Sequence, residues 1–255
     1  MSSATWTPAA LRSERHAYTG ECWRLVEAQH VVSTTKLTDT LEEQARLEDL
    51  LETVKPPVPP ACAHLHYLLA TPFRYGAAYP HGSRFRRAGR TEGVYYASEA
   101  PHTAIAELAF WRLLFFAESP ETPWPDNLGV FTAFAAAVET DAAIDLSRPP
   151  LDRDGAAWRN PIDYEPCQRL AAAARTADLE LIRYASVRDP QGGHNVALLT
   201  CSAFAQPAPV QQETWRLRLS AAGVLAIADL PRRALAFGRD AFATDPRLGP
   251  MRWDR

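Results

Sequence analysis

Four prolines crowd into Val54-Lys-Pro-Pro-Val-Pro-Pro60, and no regular element passes easily through them. Proline has no amide hydrogen to donate and pushes the residue before it out of the helical region. The run therefore ends whatever precedes it. Just upstream, Thr40 and Glu43 have the spacing of a capping box, and Leu47, Leu50, Leu51 and Val54 recur at helical intervals, which predicts a helix over about residues 40 to 54 with an acidic outer face. Residues 31 to 70 hold too little apolar material for a core of their own. They read as a helical and proline-rich insertion packed onto a main domain.

The rest of the chain alternates short strands with two or three helices. Strands are predicted at Glu21–Glu27, at Val94-Tyr-Tyr-Ala97, near Val130 to Phe134, near Ala143 to Leu146, at Leu179–Tyr184, at Asn195–Leu199 and at Gln212–Leu219. Pro101 suits the first turn of a helix reaching about Phe116, and a further helix is expected from Glu165 to Ala177. This mixture predicts an α/β or α+β sheet domain. Residues 1–20 read as a polar lead-in, 21–240 as one domain carrying the insertion, and 241–255 as a tail.

With 47% hydrophobic residues and a formal net charge of -3, the composition is that of an ordinary globular protein with no global basic footprint for nucleic acid. The first 20 residues lack the apolar core of a signal peptide, and no run of about 18 apolar residues follows that would span a membrane. A cytoplasmic protein without direct nucleic-acid or membrane partners is expected. Cys22, Cys62, Cys167 and Cys201 are scattered without a CxxC pair, and read as reduced core residues. Cys62, His64 and His66 would share a face in an extended segment, but a fourth zinc ligand at standard spacing is missing, so no metal is expected.

Chemistry concentrates in two stretches. On the helix beginning at Pro101, Ala104, Glu107, Leu108, Trp111, Leu114 and Phe115 fall on one face, so Glu107 sits within an apolar stripe. A carboxylate there needs a partner: it is either a functional group or one half of a structural salt bridge to an arginine. Before it lies Gly82-Ser-Arg-Phe-Arg-Arg-Ala-Gly-Arg-Thr-Glu-Gly93, whose Arg84, Arg86, Arg87 and Arg90 suit a pyrophosphate cradle, the plain alternative being a solvated basic loop. Tyr95 and Tyr96 point to opposite faces of the next strand, so one can face a pocket and stack on a flat heterocycle while the other packs inward. The second stretch, Leu181 to Leu199, reads as a hairpin that brings Ser186, His194 and Asn195 together. Ser186 has no GxSxG elbow, and GxGxxG before a helix, GxxxxGK[ST] and HExxH are all absent. Any dinucleotide binding lies outside the usual redox fold, and no redox cofactor is expected.

The run GSRFRRAGRTEGVYYASEAPHTAIAELAFWRLLFF resembles the centre of the RES domain, in which an arginine loop leads to a tyrosine-bearing strand and then to a glutamate on a helix. IRYASVRDPQGGHNVALL resembles that family's serine segment, and Cys167-Gln-Arg-Leu the helix start between them; the similarity covers most of residues 21 to 205. The resemblance implies an α+β fold akin to ADP-ribosyltransferases, with a mixed, largely antiparallel split sheet and flanking helices. It implies a toxin of a toxin–antitoxin pair with NAD as substrate, consumed by phosphorolysis, hydrolysis or ADP-ribosyl transfer to a protein, with inorganic phosphate as a candidate co-substrate. It also implies an antitoxin partner of the Xre type, in a homodimer or a toxin–antitoxin hetero-oligomer. A catalytically silent module that binds a nucleotide or a partner is the competing reading.

Carried over residue by residue, the catalytic set is Glu107, Tyr96, Ser186 and Arg84, and the binding set Arg24, Arg74, Tyr75, Arg86, Gln168 and Asn195. The family's first arginine matches either Arg24 in CWRLV, which makes 31–70 an insertion, or Arg74 in PFRYG beside Tyr75. The loop arginine is Arg84 or Arg86.

Overall fold

The computed structural model describes residues 6–28, 37–75, 82–89 and 92–255. Its frame is a ribbon of two long antiparallel strands, β1 (His16–Glu27) and β3 (Gly129–Asp145), paired from His16↔Ala143 to Glu27↔Phe131. Sequence patterning places two separate strands where β3 is one. Ala135-Ala-Ala137 and Glu139-Thr-Asp141 are poor strand formers by themselves, and pairing with β1 along the whole length overrides that preference.

The other edge of β3 is divided. Its first half pairs antiparallel with β6 (Gln211–Ser220), and its last residues pair parallel with β4 (Leu181–Ala185). From β4 the pairing runs through β5 (His194–Leu198) and β2 (Tyr95–Ser98) back to β1, while β6 leads outward to β7 (Gly223–Ala228) and β8 (Arg233–Phe237). The result is the expected split, largely antiparallel sheet in an α+β fold.

Side-chain alternation along these strands separates the core. Tyr95, Phe134, Ala136, Leu181, Val196 and Leu198 face the short helix α3 (Tyr67–Arg74), which contributes Leu68, Leu69 and Phe73. On the opposite faces, Trp23, Ala133, Ala135 and Trp215 meet helix α4 (Pro101–Glu118). Ile144, Ile182 and Ala197 meet α6 (Glu165–Thr176), which follows the single-turn α5 (Gly155–Trp158).

Several expectations are corrected. The lead-in contains α1 (Pro8–Ser13), capped by Thr7 and holding fully buried Leu11 in the α6 cluster. The tail is not peripheral: Phe242, Leu248 and Met251 are buried against α4. The insertion has two unlike parts, since α2 (Leu41–Thr53) has the capping box and buries no residue, whereas α3 lies in the core. Cys62 and Cys201 form a disulfide with Cα atoms 5.7 Å apart, across 139 residues of sequence, so spacing gave no hint of it; Cys22 and Cys167 are free and buried. That bond takes the sulfur from the weighed zinc set, and His66 Nδ1 accepts a hydrogen bond from Leu68 N. Among the described residues, no helix is long and apolar enough to cross a membrane.

Candidate active site

The helix expected around Glu107 is α4, but the predicted stripe is only partly buried, through Ala104 and Leu114, and another side is buried more fully. Ile105, Ala106, Ala109, Phe110 and Leu113 are the fully buried side, whereas Trp111 and Phe115 are about half exposed, at 48% and 55%. An almost wholly apolar helix gives periodicity little to choose between. The predicted stripe is instead a wall: Ala104, Glu107, Leu108 and Trp111 line a cavity of about 360 Å³. That volume lies within the range of small-molecule sites, roughly 300–1,000 Å³.

The β4–β5 hairpin fixes Glu107. Ser186 Oγ and Asn195 Nδ2 both donate to Oε1, each at 2.7 Å, and no donor among the described residues reaches Oε2. Asn195 is held in turn by Ser98 Oγ, which donates to its Oδ1 at 2.6 Å from the paired position on β2. Ser186 has no hydrogen-bonding capacity to spare, because its oxygen also accepts from Asp189 N at 3.0 Å and Arg188 N at 3.3 Å. The salt-bridge alternative for Glu107 therefore gives way to a neutral pair of donors.

Asp189 anchors this hairpin to α4, accepting from Thr103 Oγ1 at 2.7 Å and Gly193 N at 3.2 Å. The approach is so close that a Cβ on Gly193 would lie 2.1 Å from Thr103 Oγ1, and Gly192 has φ +77°. Those glycines let the loop turn directly beneath the helix start.

Three guanidinium groups face the same cavity. Arg24 donates from Nη1 to Tyr96 O at 2.9 Å and lies over the Tyr95 ring; burial lowers its pKa. Arg84 is 5% exposed and donates to Trp158 O at 2.6 Å, with its Cζ 4.7 Å from the centre of the Tyr164 ring. Arg188 is 6% exposed and donates to Tyr164 Oη and Pro161 O. Three cations and one carboxylate make the lining electropositive, with the rings of Trp23, Tyr96, Trp111 and Tyr184 around them.

Tyr96 is the pocket-facing tyrosine and Tyr95 the core one. The Tyr96 hydroxyl accepts from Phe85 N at 2.9 Å and shares a hydrogen bond with Ser83 Oγ at 2.8 Å; burial pushes its pKa up to about 12, so it stays protonated. Gln168 donates to Ser83 O at 2.9 Å and pins the arginine loop.

The fold thus brings together Glu107, Tyr96, Ser186, Asn195, Arg84 and Arg24. Arg74 and Tyr75 lie elsewhere, lining a hollow of about 740 Å³ beneath the proline run, where Arg74 is bonded to Pro56 O and Glu52. Buried Arg86 is in the loop but does not line the Glu107 cavity, and Arg90 falls outside the described residues. Sequence reasoning missed Ser98, Tyr164, Arg188 and Asp189. Only Ser98 carried a usable signal, its place at the end of a strand opposite Asn195. Among the described residues, no cluster of three or more His, Cys, Asp or Glu side chains suits a metal ion.

No curated protein matches the chain. Among solved structures, a chain of the M. tuberculosis MbcT-MbcA toxin–antitoxin complex has 12% identity and a TM-score of 0.48, over 80% of this chain and 89% of that one. The model of the RES domain matches residues 58–220, more than half of the sequence, and spans the arginine loop, α4 and the β4–β5 hairpin. The chain belongs to the RES domain family.

Proposed function

We propose that this chain is an NAD-consuming toxin that breaks the bond between nicotinamide and ribose. Family membership supports the substrate, and the observation that carries the reading is the state of Glu107. One carboxylate oxygen is fixed by two donors and the other has none among the described residues, inside an arginine- and aromatic-lined cavity.

In NAD the nicotinamide ring is cationic. When the C1′–N bond breaks, its electron pair leaves on the ring nitrogen, nicotinamide departs neutral, and positive charge moves onto the ribose. An oriented carboxylate stabilises that oxocarbenium-like centre until an acceptor oxygen bonds to C1′ and gives up its proton. Glu107 is assigned this role. Ser186 and Asn195 are positioning residues that hold the carboxylate at one orientation and spare it reorganisation. The Tyr96 ring packs against the nicotinamide end, while Arg24 and Arg84 take the phosphates.

The acceptor is inorganic phosphate, water or a protein side chain, and the rate response separates these: acceleration by added phosphate is expected for phosphorolysis alone. As a toxin, the chain is expected to be neutralised by an antitoxin of the Xre type. Expressed without one, it should slow growth and lower cellular NAD. Normal growth with unchanged NAD, at confirmed soluble expression, would contradict the proposal.

A further inference from the structure

Two of the arginines that line this cavity each carry a buried guanidinium nitrogen with no hydrogen-bond partner among the described residues: Arg84 Nη2 and Arg188 Nε. Leaving a buried charged donor unsatisfied is costly, and native structures seldom do so without a reason. Both arginines are more than nine-tenths buried and both line the Glu107 cavity. They also meet on one ring, since Arg84 lies over the face of Tyr164 at 4.7 Å and Arg188 Nη2 donates to its hydroxyl at 3.0 Å.

Their other contacts fix them without neutralising them. Arg84 Nη1 is spent on the Trp158 carbonyl, and among the described residues Arg84 has no carboxylate partner. Among the described residues, the one carboxylate paired with Arg188 is Asp245, at 3.9 Å, and it is already engaged by Arg247 at 2.9 and 2.7 Å. Stacking of Arg188 on Phe110, 4.8 Å from the ring centre, fixes its plane. Two rigid forks, one without a carboxylate partner among the described residues and one sharing a carboxylate with Arg247, suit an oxyanion bearing more than one charge.

We infer that Arg84 and Arg188, spanned by Tyr164, form a seat for one phosphate group. The seat itself rests on this geometry. What delivers the phosphate rests on the proposed NAD reaction: it is either part of the dinucleotide's diphosphate or free inorganic phosphate. Arg188 lies outside the residues that sequence reasoning assigned, and the segment bracing it, at Asp245 and Arg247, lies beyond the stretch matched by the family model.

The test is binding of inorganic phosphate and, separately, of ADP to the full chain by calorimetry in chloride buffer. Wild type is compared with Arg188→Met, with Tyr164→Phe and with the exposed control Arg218→Met. Affinity for at least one anion should fall roughly tenfold in Arg188→Met and by about threefold in Tyr164→Phe, which keeps the charge but loses the hydroxyl that orients it, and stay unchanged in the control. Loss for ADP alone assigns the seat to the diphosphate, loss for inorganic phosphate alone to a free anion, and loss for both, with mutual competition, to one shared seat. The inference is overturned if wild type binds neither anion or if Arg188→Met binds both as wild type does. Should Arg188→Met not fold, unchanged affinity in Tyr164→Phe overturns it. Release of nicotinamide without anion binding would remove the seat and leave the reaction standing. Anion binding with NAD left intact would do the reverse.

Discussion

Helices α2 and α4 invert the relation between local signal and structural weight. α2 has a complete capping box, with Thr40 and Glu43 bonded reciprocally, and buries none of its residues. α4 has no side-chain cap, begins on Pro101, and buries nine residues while presenting Glu107 to the cavity. Local chemistry is enough to make α2 a helix, whereas α4 is held by what surrounds it. Chemistry requiring a fixed carboxylate therefore sits on α4, because only a helix packed on several sides keeps one orientation against water and thermal motion.

The largest effect expected from this contrast is in the α4 core. Phe110→Ala removes a fully buried ring that meets Phe242 and the two stacked arginines, Arg188 and Arg247, and should cost about 3–5 kcal/mol in chemical denaturation. A loss below about 1 kcal/mol would mean that α4 is not the packed element described.

Glu107→Gln comes next. The amide oxygen can still accept from Ser186 and Asn195, so the melting temperature should hold while NAD turnover drops by at least ~10², about 2.7 kcal/mol. Both must be read on one sample, because a folded variant with near-wild-type turnover removes Glu107 from the mechanism. Ser186→Ala should act through Glu107, lowering kcat roughly tenfold with little change in KM for NAD, and costing about 1–3 kcal/mol of stability because Asp189 N loses its acceptor. Equal changes in kcat and KM would point to a direct ligand contact instead.

On α2, Thr40→Ala should cost about 0.5–1 kcal/mol of local helix stability. Leu50→Ala should alter global stability by no more than about 0.5 kcal/mol, since Leu50 is 59% exposed. Larger global losses in this pair would show that α2 covers something the present packing does not include.

The same contrast explains what could be read from the residues. Capping at Thr40, proline at the start of α4, the β4–β5 hairpin and the start of α6 are local matters, and each lies within a residue or two of its expected place. Long-range pairing decides the rest. β3 is continuous because β1 runs beside it; α3 persists with Pro72 inside it because Leu69 and Phe73 are buried; and β7 and β8, unannounced by alternation, extend β6. Within the site, a carboxylate in an apolar helix was conspicuous in itself. Arg188 was not, because a single arginine after a strand looks like any solvated charge until Tyr164 and Phe110 close around it. That Arg24 reaches the backbone of Tyr96, while Arg74 lies in another hollow, likewise follows from the β1–β2 contact and not from local sequence.

The most direct measurement is to incubate purified, antitoxin-free protein with NAD and identify the products. Free nicotinamide is expected in amounts matching the NAD lost, with ADP-ribose, its 1″-phosphate or labelled protein as the other product according to the acceptor. Intact NAD after prolonged incubation, with binding of NAD demonstrated on the same folded sample, would contradict it and make the Glu107 cavity a binding site without chemistry.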